Sequence, residues 1–321
     1  LFSISSVSAQ NIDVNTTNNI NPLNEVLIDE TISTSNELTN KSSIISNDLE
    51  KYYKDDKGFC ATFYNENGTP LTNKNITFSV NGVSYIKTTD NNGTAKLNIN
   101  LESGNYTIIS YNPTTNETIT NNITVLSSIN GNDLTKYFKN ATQYSVTLYD
   151  KTGKALVNKT VRFNINGIFY ERKTNEKGVA QLNINLDPGN YIVTVYNLIT
   201  GEEKSNNINI VSRIQLLDLN NASNVILPEG YVIPVMFIGN GKAYAQCRAT
   251  TLDEKGNPLA NQLVTFNING IIYKGTTDKF GIIDAIIYVN ADWGNTYHIC
   301  TATFGESFAS QTVIVKRFVM G

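Results

Sequence analysis

Three cysteines and one histidine are all the chain offers in soft nucleophiles and imidazole. A catalytic cysteine needs a base or a cation beside it to hold the thiolate. His298 lies two residues before Cys300 in YHICTATF, which reads as one strand, so the pair is expected to be structural and not a dyad. The acidic turns DKTG, DEKG and NENG resemble fragments of a calcium loop. They lack its regular ligand positions and its terminal bidentate Glu, and they read as turns. No metal, no cofactor and no enzymatic activity is expected from these residues.

Asparagine carries the other recurrent chemistry. Sequons of the form Asn-x-Ser/Thr begin at Asn15, Asn40, Asn67, Asn75, Asn92, Asn105, Asn116, Asn122, Asn140, Asn158 and Asn221. On an exported chain each is an acceptor for N-linked glycan. None follows Asn221. That asymmetry predicts a decorated N-terminal part and a bare C-terminal part free for contact.

The formal charge is −3 and charged residues make up 17% of the chain. This gives no electrostatic reason to expect nucleic acid or an anionic membrane as partner. No apolar run approaches the roughly 18 residues that cross a bilayer as a helix. The opening LFSISSVSAQ ends in Val7-Ser8-Ala9, the small-residue pattern that precedes signal cleavage. Residues 1–9 therefore read as the remnant of a secretory signal, and the protein as extracellular. Residues 10–45 are dense in Asn, Ser and Thr and read as a linker. Within them, Glu25 to Thr34 (EVLIDETIST) could supply one strand.

The elements that position these residues repeat. VRFNINGIFY (Val161 to Tyr170) recurs as ITFSVNGVSY from Ile76 and VTFNINGIIY from Val264. NDLEKYYK (from Asn47) returns as NDLTKYFK (from Asn132), and LNINLESGNY (from Leu97) as LNINLDPGNY (from Leu182). Both pairs are offset by 85 residues (132 − 47 and 182 − 97), whereas the third phrase follows the second by 103 (264 − 161). The phrase puts Val161, Phe163 and Ile165 on one face and Arg162 and Asn164 on the other. Asn166-Gly167 suits a two-residue type I′ turn, since both residues tolerate positive φ. Ala180, Leu182, Ile184 and Leu186 then alternate with Gln181, Asn183 and Asn185. Turn signals every eight to twelve residues indicate antiparallel β-sandwiches. The expected divisions are 46–128, 129–213 and a divergent 214–321. No Lys lies on the legible inward rows, so an internal Lys–Asn crosslink is not expected; the opening strands are less legible.

The pattern D-x-x-G-x-P/A-L, V-x-F-x-I-N-G, T-(D/N)-x-x-G-x-A and L-x-(S/P)-G-x-Y resembles the bacterial immunoglobulin-like repeats of the intimin and invasin type. The NDLxKYYK and NINGxFY spellings are similar to repeats of adhesin-like surface proteins of methanogenic archaea. The matching residues include Asp150, Gly153, Leu156, Val161, Phe163, Asn166, Gly167, Thr174, Gly178, Gly189 and Tyr191. In the third copy ADWGNTY replaces the last corner. The resemblance implies all-β immunoglobulin-like sandwiches at a cell surface and adhesion to another cell or a surface polymer.

Register aligns Cys247 with Phe59 and Tyr144 on an inward row, and Cys300 falls on a later strand of the same sandwich. The two can close an inter-sheet disulfide, worth about 4 kcal/mol in the chain-entropy model, or remain two buried thiols. The disulfide is the favoured expectation. Cys60 aligns with the outward Ser145 and is expected to be a free thiol or an intermolecular link. A stalk-forming adhesin is the leading reading. The rival is a filament or surface-layer subunit in which Glu25–Thr34 or the C-terminal strand Thr312–Phe318 pairs with a neighbouring copy by strand addition. A carbohydrate-binding module would want exposed aromatic platforms, whereas the placeable tyrosines sit at strand ends.

Overall fold

The computed structural model describes residues 41–217, 229, 242–290, 292 and 296–317. The signal remnant, nearly all of the linker, Glu25–Thr34 and the sequons at Asn15, Asn40 and Asn221 lie outside the described residues. Every described strand falls within the compact unit Ser42–Gly321, and the described chain is all-β.

The first repeat comprises β1 (Ile44–Ser46), β2 (Leu49–Tyr52), β3 (Gly58–Phe63), β4 (Asn75–Val80), β5 (Val83–Thr88), β6 (Thr94–Asn98), β7 (Gly104–Tyr111) and β8 (Thr118–Leu126). The second repeats it with β9 (Ile129–Gly131), β10 (Leu134–Tyr137), β11 (Tyr144–Leu148), β12 (Thr160–Ile165), β13 (Ile168–Lys173), β14 (Val179–Leu182), β15 (Gly189–Asn197) and β16 (Glu202–Val211). The third contains β17 (Ile214–Leu216), β18 (Ala243–Thr251), β19 (Leu263–Ile268), β20 (Ile271–Thr276), β21 (Ile282–Val289), β22 (Tyr297–Phe304) and β23 (Ser307–Arg317).

Each of the first two repeats packs a five-stranded sheet on a three-stranded one. The orders are β2-β8-β7-β4-β5 over β1-β3-β6, and β10-β16-β15-β12-β13 over β14-β11-β9. The opening strand of each is split. Its first half pairs antiparallel with β3 or β11; the chain then crosses to the other sheet and runs parallel to β8 or β16. Those parallel pairs depart from the purely antiparallel expectation. In the third unit β23 bridges both layers, pairing with β22 along most of its length and with β18 at its end.

The recurring phrase forms the expected hairpin. Val161, Phe163 and Ile165 are buried, and β12 pairs with β13 from Thr160↔Lys173 to Ile165↔Ile168. Asn166 and Gly167 both have positive φ, 53° and 75°, and Asn81-Gly82 and Asn269-Gly270 do the same. This is the backbone that a two-residue reversal between twisted strands requires. There is one hydrophobic core per repeat. Ile44 belongs to the first core, so the ordered sandwich starts just before residue 46.

Candidate functional site

Two features separate this chain from a string of loosely tethered domains: its junctions and the outer faces of its larger sheets. Only Ser127 and Ser128 stand between β8 and β9, and only Ser212 and Arg213 between β16 and β17. Ser128 is fully buried. Its amide and hydroxyl donate to Glu202 Oε2 at 2.6 and 2.7 Å, while Asn197 Nδ2 donates to Ser128 Oγ and to the Tyr149 carbonyl, both at 2.9 Å. At the next junction Ser212 Oγ donates to the Phe308 carbonyl (2.8 Å) and the Arg213 amide to Ser307 Oγ (2.8 Å). Arg213 Nε reaches the Leu252 carbonyl at 3.0 Å, doing for Leu252 what Asn197 does for the equivalent Tyr149.

Across the first junction Tyr52 packs on Tyr149, ring centroids 5.8 Å apart, and against Gly153. A Cβ on Gly153 would come within 2.8 Å of Tyr52 Cδ2. Tyr137 takes the same place over Gly256, where a Cβ would lie 2.5 Å from its Cζ. Polar contacts flank both: Lys151 with Asp56, Lys139 with Glu306 at 2.8 Å, and Asn140 Nδ2 with the Glu254 carbonyl at 2.6 Å.

The outer faces differ in chemistry. On the first repeat, alternation along β4, β7 and β8 turns Asn75, Asn105 and Asn122 outward, and all three begin sequons. On the second, Arg162 bridges Glu171 at 2.9 Å and lies 5.9 Å from the Phe169 ring centroid, with Tyr196 alongside and Glu203 paired opposite Tyr196. On the third, β20, β19, β22 and β23 turn out Ile272, Leu263, Tyr297, Ile299 and Phe308, each between 46% and 72% exposed. Between them are Thr265, Thr301, Thr303, Ser310 and Thr312, with the exposed Lys274 opposite Thr265; the described strands turn no carboxylate and no sequon to this face.

Tyr297 reaches that face through a one-residue shift. In the first repeats the corner tyrosines, Tyr106 and Tyr191, donate to the Glu102 and Asp187 carbonyls at 2.9 and 2.8 Å. Pairing with β23 shows that His298, opposite Val313, occupies the position of Tyr191, opposite Ile208. Shifting by one residue moves a side chain to the other face of a strand, so Tyr297 is 72% exposed. This departs from the expectation that the tyrosines are strand-end packing. The His298 ring nitrogens are engaged by Asn269 (2.8 Å) and Thr296 (2.7 Å).

Cys247 and Cys300 are brought together: both are buried thiols, their sulfurs 3.2 Å apart. Cys60 is an exposed thiol on β3. Of the described sequons, Asn67, Asn75, Asn92, Asn105, Asn116, Asn122 and Asn158 are exposed, whereas Asn140 is tied into the second junction. Among the described residues no group of three or more His, Cys, Asp or Glu is placed to hold a metal, and no helix is long and apolar enough to cross a membrane. Thr312–Arg317, all but the last residue of one of the two donor segments expected for polymerisation, is already paired with β22 and β18 in its own chain. It could be donated only by leaving that sheet; Phe318 lies outside the described residues.

Sequence reasoning missed two buried lysines. Lys51 and Lys136 lie at the centres of β2 and β10 and are almost fully buried. Lys51 Nζ donates to the carbonyls of Asp55 (2.5 Å), Ile99 (2.6 Å) and Lys57 (3.2 Å); Lys136 Nζ donates to those of Thr142 (2.9 Å) and Ile184 (3.1 Å). Loss of solvation holds both amines below the ordinary lysine range. The available signal was the inward alternation Leu49, Lys51, Tyr53, repeated as Leu134, Lys136, Phe138.

The chain matches no family model and no curated protein. Solved structures similar to it include a Ca2+-stabilised adhesin with which an Antarctic bacterium binds ice (13% identity, 86% of this chain and 74% of that one, TM-score 0.20). Another is a 1.5-MDa bacterial ice-binding adhesin (13%, 87% and 98%, 0.20). A third is invasin, a bacterial integrin-binding protein (14%, 86% and 59%, 0.24).

Proposed function

We propose that this is an adhesin-like protein of the cell surface or extracellular space. In it the first two sandwiches form a semi-rigid, glycan-bearing stalk, and the third presents the contact face. It is a binding and structural protein, not an enzyme. The observation that carries this reading is the difference among three equivalent sheet faces: the first sets sequons beside Ile86 and Ile109, the second sets charges beside Phe169 and Ile192, and the third turns out five large apolar side chains among hydroxyls and Lys274. Large apolar side chains gathered in the open on one sheet face mark an interaction surface. Aromatic side chains rimmed by hydroxyls suit a neutral partner, whether a surface polymer or a protein. The two-residue junctions, with Tyr52 packed against Tyr149 and Tyr137 set over Gly256 across them, support a stalk, because such linkers leave few torsions free.

Beads coupled through Cys60, which lies in the first repeat, would present the third unit outward. Their retention would be measured on surfaces coated with neutral polysaccharides and with extracellular proteins. The expected result is retention on at least one surface that is lost with the pair Ile299→Asp and Phe308→Asp and kept with Ile86→Asp on the first repeat. Equal loss with both variants, or retention by neither variant nor parent, overturns the assignment of the contact face.

A further inference from the structure

We propose that Cys247 and Cys300 are closed into a disulfide across the core of the third sandwich. Cys247 lies on β18 opposite Ala285, and Cys300 on β22 opposite Ile268, so the pair spans the two layers. Their sulfurs approach to 3.2 Å with both residues at most 2% exposed. These positions hold Phe59 and Ile108 in the first repeat and Tyr144 and Val193 in the second, by equivalent pairing. The exchange replaces a ring and a branched aliphatic side chain with two small thiols. Among the described residues the first core buries Phe59, Phe63 and Phe78, whereas the third packs Ala243, Ala245, Ala249, Ala285 and Ala302 around Phe266. At these two positions the exchange removes apolar area, and a link between residues 53 apart offsets that by restricting the unfolded chain.

The bond forms by exchange with a disulfide oxidant, either that of a thiol–disulfide oxidoreductase or glutathione disulfide. One cysteine thiolate attacks an oxidant sulfur, making a mixed disulfide and releasing one oxidant thiolate. The second cysteine thiolate then attacks the protein sulfur of that mixed disulfide and releases the other. The two cysteine protons pass through solvent to the departing thiolates, and two electrons move from the cysteines to the oxidant. In the closed sandwich both residues are at most 2% exposed, and a disulfide oxidant cannot reach either sulfur. Exchange therefore belongs to the stage before the layers close.

The test uses the full chain carrying Cys60→Ser, refolded in glutathione redox buffer, then denatured and treated with a maleimide before intact-mass measurement. The expected species carries no maleimide and is two hydrogens lighter than the dithiol; prior reduction restores two adducts. Two adducts without reductant, or a glutathione adduct in place of the internal bond, overturns the proposal. Calorimetry of the same protein reads the consequence: reductant should lower one thermal transition by roughly 10 °C or more, and coincident scans would remove any stabilising role.

Discussion

Three glycines occupy the same turn position in the three repeats, and only two of them touch a neighbouring repeat. Gly68, Gly153 and Gly256 all have positive φ, 75°, 84° and 88°. A Cβ on Gly68 would meet nothing within 4 Å, whereas one on Gly153 would press on Tyr52 and one on Gly256 on Tyr137. Alanine at any of the three bears the left-handed backbone penalty, about 1–2 kcal/mol, so Gly68→Ala measures that cost alone. At Gly153 the Tyr52 ring, whose Cε2 would be the nearest atom, must in addition retreat by about 1.5 Å to regain ordinary carbon contact. That retreat disturbs its packing on Tyr149, worth about 0.5–1.5 kcal/mol beyond area burial. Gly153→Ala is thus expected to destabilise by that increment more than Gly68→Ala and to loosen the first junction. Spin labels on Cys60 and on a Ser145→Cys variant, both exposed and at equivalent positions, read the loosening as a broadened distance distribution in pulsed dipolar spectroscopy. Gly68→Ala should leave the distribution unchanged. If the Gly153→Ala distribution is as narrow as that of Gly68→Ala, Tyr52 does not fix the junction, and the stalk reading loses its main physical support.

Other outcomes follow from the buried polar groups. Lys136→Met removes a cation whose desolvation is costly, but it leaves the Thr142 and Ile184 carbonyls unpaired. Charge-assisted bonds of about 1.5–3 kcal/mol each outweigh the relief, so denaturant titration should show a loss of about 1–3 kcal/mol; equal or greater stability would refute the cage. Burial, with a smaller contribution from the charge of Asp133, pushes the Tyr144 hydroxyl from 10.0 up to about 12. The neutral form is thus favoured on folding, so its contribution is full below pH 10 and lost as pH rises through about 12. Stability curves should fall across that window in the parent and less steeply in Tyr144→Phe, and parallel curves would contradict this. If native material is glycosylated, peptide mapping should find sugar at Asn75 and Asn105 and none at Asn140, whose amide is committed to the Glu254 carbonyl; an occupied Asn140 would mean that the second junction opens.

Whatever depends on alternation and turn chemistry was legible before any coordinates. The row Val161, Phe163, Ile165 and the reversal at Asn166-Gly167 follow from period two and from the few residues that accept positive φ. What escaped was long-range. The clamp of Ser128 depends on Asn197 and Glu202, 69 and 74 residues away; Ser43 holds Asn112 and Glu117 in the same way, and the repeated Ser-Ser-Ile marks the position but not its distant partners. Lys51 and Lys136 lie on the opening strands, whose inward rows were not legible, and lysines are rarely buried. Only the fold brings together carbonyls from separated segments to surround each ammonium. The split opening strand with its parallel half escaped for the same reason, since a crossover between layers leaves no periodicity of its own.

The contact face shows the same limit in its sharpest form. By composition Tyr297 resembles the corner tyrosines Tyr106 and Tyr191, and by sequence alone it would be assigned to their role. The pairing of β22 with β23 places His298 in that role instead, and a single step of register turns Tyr297 into the most exposed of the face's apolar residues. The same parity carries Ile299 outward beside it and Cys300 inward against Cys247. Contact face and core pair are therefore two sides of one strand. A substitution that slipped β22 by one residue would lose both together, burying Tyr297 and separating the thiols. Combined loss of surface retention and of the internal disulfide is the signature that would distinguish such a slip from local damage to either site.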